Sequence, residues 1–258
     1  VDFDLKEISF TDKNGVLNRT RYTQPCMVAF AAGMTAALAE RGIVPAAAAG
    51  LSLGEYSALH AAGVFDADTA VALTAFRGRV MEEASAGRLS AMVAVLGMER
   101  EPLEEICREA SRMGCAVIAN YNCPGQIVIS GSVPGIEKAC ELMKAAGAKR
   151  ALPLKVGGAF HSPLMDPAKV ELEAAINATE FHTPKCPVYQ NVDALPHTDP
   201  AEIKKNLVAQ LTASVRWTQT VKNMVADGAT DFTECGPGAV LQGLIKKIDS
   251  TVSAHGIA

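Results

Sequence analysis

Aromatic side chains are scarce in this chain: one tryptophan, four tyrosines and eight phenylalanines among 258 residues. With half the residues apolar and only a fifth charged, that scarcity suits an alanine- and valine-rich α/β protein. A basic surplus is missing too. The 24 lysines and arginines stand against 28 acidic residues, a net charge of −4, so nothing points to nucleic-acid binding. An acidic partner would have to be met by a local basic patch. No apolar run is long enough to cross a bilayer, and no stretch has the pattern of a signal peptide. The seven cysteines include no Cys-x-x-Cys pair and are odd in number. They read as small buried thiols of a cytoplasmic protein rather than a disulfide frame. No carboxylate–histidine spacing suggests a metal site, and no cofactor is expected. The length allows one large core, or one core with a satellite domain.

What is present is organised around Gly50-Leu51-Ser52-Leu53-Gly54-Glu55. It is preceded by the apolar run Ile43–Ala49 and followed by a helical pattern. Gly-x-Ser-x-Gly at a strand-to-helix junction is the pattern of a nucleophile elbow, with the glycines expected where backbone and neighbouring segments approach. The first N–H groups of the helix, beginning near Leu53, would favour negative charge at the reacting centre. Spacing alone leaves a second reading, in which Ser52 merely caps the helix.

The hydrophobic pattern predicts a helix from Thr23 to Gly42, a buried parallel strand over 44–49, a helix over 53–62 and a longer one from Asp66 to Ala84. The inward stripe of the last is Ala70, Leu73, Arg77, Val80 or Met81, and Ala84. An arginine on an apolar face requires a carboxylate partner, either in a structural ion pair or as a clamp for a substrate carboxylate. Arg79 shares a solvated face with Glu82 and Glu83.

Residues 90–154 read as β-α-β-β-α-β, the order of a ferredoxin-like domain, inserted into the larger one. A Gly-loosened segment then presents His161 ahead of a helix over 166–178. A strand over 188–192, helices over 200–211 and 217–227, a strand over 231–234 and a lysine-bearing helix complete the pattern. His161 reads either as a hydrogen-bonded core residue or as a general base, and His255 as part of a fraying tail.

These segments together resemble the malonyl-CoA:acyl-carrier-protein transacylases. The resemblance rests on Tyr22-Thr23-Gln24-Pro25, Gly50–Glu55, Phe76-Arg77-Gly78, Asn120–Gln126, Gly158-Ala159-Phe160-His161-Ser162, Gln190-Asn191-Val192-Asp193 and Glu234–Gly238, in family order over nearly the whole chain. It implies an α/β fold: an α/β-hydrolase-like large domain with a mostly parallel sheet (1–89 and 155–258) and an inserted ferredoxin-like small domain (90–154). It also implies malonyl transfer from malonyl-CoA to acyl carrier protein in fatty-acid synthesis, with no cofactor; a monomer is expected.

By the same resemblance Ser52 is the nucleophile, His161 its general base and acid, and Arg77 the holder of the malonyl carboxylate. The Gln210 backbone carbonyl would orient the histidine, and the Leu53 N–H would be an oxyanion donor. Phe160 belongs to the malonyl-type signature and joins the substrate-binding set. The carrier protein of such systems is acidic; Lys149, Arg150, Lys204, Lys205, Lys246 and Lys247 are candidate contacts.

Two departures stand out. Leu51 occupies a position that is usually histidine in the family. The family also begins with a strand and a Gly-Gln-Gly-rich loop, which the sequence given does not contain. The expectation is therefore a truncated or partly represented form of a longer protein, since losing one oxyanion donor costs about 10²–10³ in rate. Two rival functions are a serine esterase or thioesterase and a catalytically idle fragment that binds carrier protein. Hydrolases of that type place their histidine late in the chain, and the only late histidine here is His255.

Overall fold

In the computed structural model, residues 1–257 are described. The chain opens on a helix that the pattern did not announce, α1 (Leu5–Phe10), capped by Asp4, whose Oδ1 accepts from the Glu7 N–H at 2.9 Å. Helix α2 (Thr20–Glu40) keeps Pro25 near its start. Strand β1 (Ala48–Ala49) leads to α3 (Gly54–Ala61), and Asp66 caps α4 (Ala67–Ser85) through a 2.8 Å bond from the Thr69 N–H. Helices α2 and α4 lie so close that a side chain at Gly78 would come within 2.7 Å of the Thr20 carbonyl. Of the α4 residues, Ala70, Leu73, Arg77, Val80, Met81 and Ala84 are all buried.

Four strands then form one antiparallel layer: β2 (Ser90–Leu96), β3 (Ala116–Cys123), β4 (Gln126–Ser132) and β5 (Arg150–Pro153). Their spatial order is β3-β4-β2-β5, with α5 (Arg100–Ala110) and α6 (Val133–Ala145) joining them. Leu103, Cys107, Ile129, Ile136 and Met143 make a core of their own beneath this layer.

The chain returns through a short 3-10 turn at Pro163–Met165 into α7 (Asp166–Ala178), β6 (Val188–Tyr189), β7 (Pro196–His197) and α8 (Pro200–Ala209). It ends with α9 (Trp217–Ala226), β8 (Asp231–Glu234), α10 (Val240–Ile248) and β9 (Ser253–Gly256). Tyr56, Leu59, Leu73, Leu172, Ile176 and Leu207 share the main core between α3, α4, α7 and α8.

The structure corrects three expectations. The sheet behind the elbow is mixed rather than mostly parallel: β1 pairs parallel with β6, but β6 pairs antiparallel with β7. Only the short Gln190–Leu195 loop joins β6 to β7, and a short connection can only reverse the chain. Its strands are also shorter than the predicted 44–49 and 188–192. Pro45 offers no N–H to a ladder, Ala46 and Ala47 have low strand propensity, and Val44 is exposed. Finally, His255 lies in no fraying tail. It stands in β9, which pairs parallel with β8, and its Nε2 lies 3.1 Å from the Thr233 Oγ1.

Candidate active site

The turn between β1 and α3 is held in a conformation that a non-glycine residue seldom adopts. Ser52 has φ +53°, in the left-handed region, at a cost of order 1–3 kcal/mol that its surroundings must offset. Gly50 is obligatory in this turn, because a Cβ there would fall 2.0 Å from the Gly54 carbonyl group. Gly54 itself corrects the expectation drawn from the motif: its Cβ position is open space, so the close approach is made at the first glycine alone.

The offset comes from two side chains contributed by distant segments. Asn191 Oδ1 accepts the Ser52 N–H at 2.6 Å, while Asn191 Nδ2 donates to the Gly50 carbonyl at 2.7 Å. Gln210 Nε2 donates to the Ser52 carbonyl at 2.9 Å. Beneath them Glu55, fully buried, accepts from the Asn191 N–H at 2.7 Å and from Gln190 Nε2 at 3.0 Å. The Leu53 N–H, at the start of α3, bonds to no acceptor among the described residues and remains available to an oxyanion.

His161 reaches Ser52 from the segment after the four-stranded layer. Gly158 lets this segment lie against the end of α4: a Cβ there would meet the Ser85 Oγ at 1.9 Å. His161 also has a left-handed backbone, φ +55°, and is buried. Its Nδ1 lies 2.9 Å from the Gln210 carbonyl oxygen and its Nε2 lies 2.7 Å from the Ser52 Oγ. A carbonyl only accepts, so Nδ1 carries the proton and Nε2 presents its lone pair to the serine hydroxyl. Gln210 caps the C-terminus of α8, where the helix dipole favours the positive charge that His161 acquires on taking a proton.

Arg77 completes the group. It is 1% exposed, and every one of its hydrogen-bond partners is neutral: Gln24 Oε1 at 2.7 Å, Gln210 Oε1 at 3.2 Å and the Ser52 Oγ at 3.2 Å. Its Nε has no partner among the described residues, and its guanidinium lies over the Tyr56 ring, 5.5 Å from the centroid. A buried cation without a paired carboxylate is costly in isolation and receptive to an anion. The structural ion pair that the sequence left open is therefore not formed. Arg79, by contrast, donates to both Glu83 oxygens at 3.0 Å on the surface.

Of the remaining residues singled out from the sequence, Phe160 is partly buried. It packs both on the main core and on Met92, Ala94, Ala119 and Val128 of the four-stranded layer, at the seam where His161 emerges. Leu51 turns to the group formed by Cys123, Val215 and Trp217. Lys204 is committed to the chain itself, donating to the Thr179 carbonyl at 2.6 Å, whereas Lys149, Arg150, Lys205, Lys246 and Lys247 are exposed. His255 belongs to the β8–β9 pair and bonds there, so the late-histidine order of a hydrolase has no counterpart beside Ser52. Glu55, Gln24 and Asn191 went without roles in the sequence. A glutamate inside the elbow motif was a signal available there, because a carboxylate so placed has to be matched by donors from elsewhere.

Burial pushes Glu55 up to about 7, and burial together with Arg77 pulls His161 down to about 4, against ordinary values of 4.5 and 6.5. Their effects on stability have opposite signs. Folded Glu55 retains a proton that the unfolded chain releases, so its contribution is full below about pH 4.5 and lost as pH rises through 7. Folded His161 refuses a proton that the unfolded chain takes, so its contribution is full above about pH 6.5 and lost as pH falls through 4. Glu55→Gln removes only the first. Between pH 5 and 8 the parent is expected to lose roughly 2–3 kcal/mol relative to this variant in urea denaturation. Parallel pH dependence in the two proteins would contradict the burial assigned to Glu55.

A serine held in the left-handed region over a helix start, with its hydroxyl bonded to a carbonyl-oriented histidine, has the arrangement of the serine acyl-transfer class. The chain belongs to the acyl transferase family, whose acyl transferase domain matches residues 1–255. It is 42% identical over 246 residues to the malonyl CoA-acyl carrier protein transacylase of Bacillus subtilis, covering 95% of this chain and 78% of that one. It is 41% identical over 258 residues to the Staphylococcus aureus protein of the same name, covering 100% and 83%. Among solved structures, the Vibrio cholerae acyl carrier protein S-malonyltransferase superposes with a TM-score of 0.96 at 41% identity, over 99% of this chain and 84% of that one. A malonyl-transacylase solved in complex with a type II polyketide acyl-carrier protein gives 0.95 at 39% identity, over 99% and 83%.

Proposed function

We propose that this acyltransferase moves a malonyl group from malonyl-CoA to the phosphopantetheine thiol of an acyl carrier protein, in fatty-acid biosynthesis. The observation that carries the reading is the meeting of three groups at one oxygen. The Ser52 Oγ lies 2.7 Å from a neutral imidazole nitrogen and 3.2 Å from an arginine with no carboxylate of its own. His161 Nε2 takes the hydroxyl proton as Oγ attacks the thioester carbon. The tetrahedral oxyanion is met by the Leu53 N–H, the C–S bond breaks, and CoA leaves with the proton from His161. The carrier thiol then gives its proton to His161 and attacks the acyl-serine, the ester C–O bond breaks, and the Ser52 Oγ leaves with the proton from His161, so the kinetics are ping-pong. Arg77 supplies two-pronged recognition of the malonyl carboxylate, and acetyl-CoA offers nothing to match it.

Thioester-to-ester-to-thioester exchange is redox-neutral, and the reading includes no cofactor. Ser52, His161 and Arg77 come from one chain, which suits a monomer. Among the described residues no helix is long and apolar enough to cross a membrane; a cytoplasmic location is part of the proposal. So is the division into an α/β-hydrolase-like large domain (1–89, 155–258) and a ferredoxin-like small domain (90–154). The separate core and β3-β4-β2-β5 order of the four-stranded layer support it. Mass spectrometry after incubation with malonyl-CoA tests the central claim: a malonyl adduct is expected on Ser52, discharged by carrier protein. CoA release at a rate indifferent to carrier protein would favour hydrolysis instead.

A further inference from the structure

We propose that Glu55 is a positioning residue for acyl transfer, holding the nucleophile elbow in its strained conformation through Asn191. The inference rests on the reading of Ser52 as the acylated serine and extends it to a residue that never touches substrate.

The elbow's own backbone bonds, from the Gly54 N–H to the Leu51 carbonyl at 3.0 Å and from the Glu55 N–H to the Ser52 carbonyl at 3.1 Å, leave the Ser52 N–H without a partner inside the turn. Ser52 sits at φ +53° and its N–H is bonded outside the turn, to Asn191. That one side chain grips the turn twice, at the Ser52 N–H and the Gly50 carbonyl. Asn191 lies just after β6, in the loop to β7, where nothing in the β1–β6 register fixes a side chain. Its backbone is fixed instead at both ends. The N–H donates to Glu55 Oε2 at 2.7 Å, and the carbonyl accepts from the Arg216 N–H at 3.0 Å. Glu55 belongs to the first turn of α3, the helix that the elbow starts. The carboxyl thus closes a loop of bonds from α3 to Asn191 and back to Ser52, with Glu55 and Asn191 both fully buried, where a misplaced polar partner is costly.

The surroundings of Glu55 are consistent with a hydrogen-bonding role rather than a charge role. Arg77 from α4 and the phenol of Tyr56 beside it are the ionisable groups that act on it, and α2 presents only the neutral Gln24 at this site. The second carboxyl oxygen faces Gln190, whose own Oε1 is buried without a partner among the described residues. Turning the Gln190 amide over would offer that oxygen to a proton on Glu55 and leave the bond to the Asn191 N–H untouched, at the cost of the 3.1 Å bond from Gln190 Nε2 to the Ile203 carbonyl. A glutamine at position 55 fits the same arrangement: its Oε1 accepts from Asn191 and its NH₂ donates to the turned Gln190.

The test is single-turnover acylation by malonyl-CoA in the full chain, with Glu55→Ala, Glu55→Gln, Asn191→Ala and the Glu55→Ala/Asn191→Ala pair, each checked for a folded transition. Expected are a fall of at least tenfold in acylation rate for Glu55→Ala with KM within about twofold of the parent, and recovery to within about threefold of the parent rate in Glu55→Gln. The double variant should be no slower than Asn191→Ala alone, because both act through one path. Parent-rate acylation by Glu55→Ala, a Glu55→Gln variant as slow as the alanine, or effects that multiply in the double variant would each overturn the role. If Glu55→Ala does not fold, Glu55→Asp, one methylene short of Asn191, replaces it, and parent-rate acylation by that variant would equally overturn it. A parent that forms no adduct on Ser52 would instead remove the acyltransferase reading, and this role with it.

Discussion

Replacing His161 with glutamine is expected to slow acylation of Ser52 by roughly 10²–10⁴-fold, the usual worth of a positioned general base. The imidazole is the only base in contact with the Ser52 hydroxyl among the described residues, at 2.7 Å, and the Gln210 carbonyl prevents it from turning its protonated nitrogen to the serine. Glutamine fills similar space and leaves the elbow's other bonds in place, so its folded transition should persist while the chemistry is lost. The pH profile offers a second measure in the parent. Burial and the neighbouring Arg77 hold His161 near 4, so the free base is present throughout the neutral range. The acylation rate should therefore fall on acidification only as pH approaches about 4, well below the ordinary histidine value. Rapid-quench measurement of released CoA at several pH values checks both. A variant within tenfold of the parent, or a limb near 6.5, would remove His161 from the role.

Arg77→Ala is expected to erase much of the preference for malonyl- over acetyl-CoA, a loss of about 1–3 kcal/mol in the ratio of their kcat/KM values. The guanidinium is held by neutral oxygens on Gln24 and Gln210 and reaches the Ser52 Oγ, so its charge is directed at that hydroxyl and has no carboxylate bonded to it. Arg77→Lys keeps the charge but not the fork, and should recover only part of the discrimination. Removing a buried side chain also disturbs packing and leaves two amide oxygens short of a donor. The ratio between the two substrates is therefore the informative quantity, because a general loss of order lowers both rates together. An alanine variant that still favours malonyl-CoA as strongly as the parent would show that the carboxylate is recognised elsewhere.

Several features were legible before any coordinates because they are written in short-range chemistry. Asp66 announces α4, Gly50 announces the elbow, and the spacing of Ala70, Leu73, Arg77 and Ala84 marks an inward stripe with a cation in it. The four strands and two helices over 90–154 follow from alternation and turns, with Pro124-Gly125 closing the β3–β4 hairpin. Other features stayed hidden. The strands behind the elbow are only two residues long, and so short a ladder leaves almost no period to read. Helix α1 is a single capped segment whose signal, Asp4 with Glu7 three residues on, is brief. Strand β9 looked like a frayed end because its pairing partner is β8, a contact that local composition does not encode.

By itself, then, the order of residues determined which side chains are available and what each can do: a serine in a tight turn, an imidazole after a glycine-rich segment, a guanidinium on an apolar face. Tertiary structure decided their distances and their states. It gave Arg77 amide oxygens rather than a carboxylate, set His161 by the Gln210 carbonyl, and made Glu55 a buried anchor through Asn191. The physical reason is that reactivity depends on what surrounds a group once water has been excluded. That surrounding is assembled here from segments that only folding brings together.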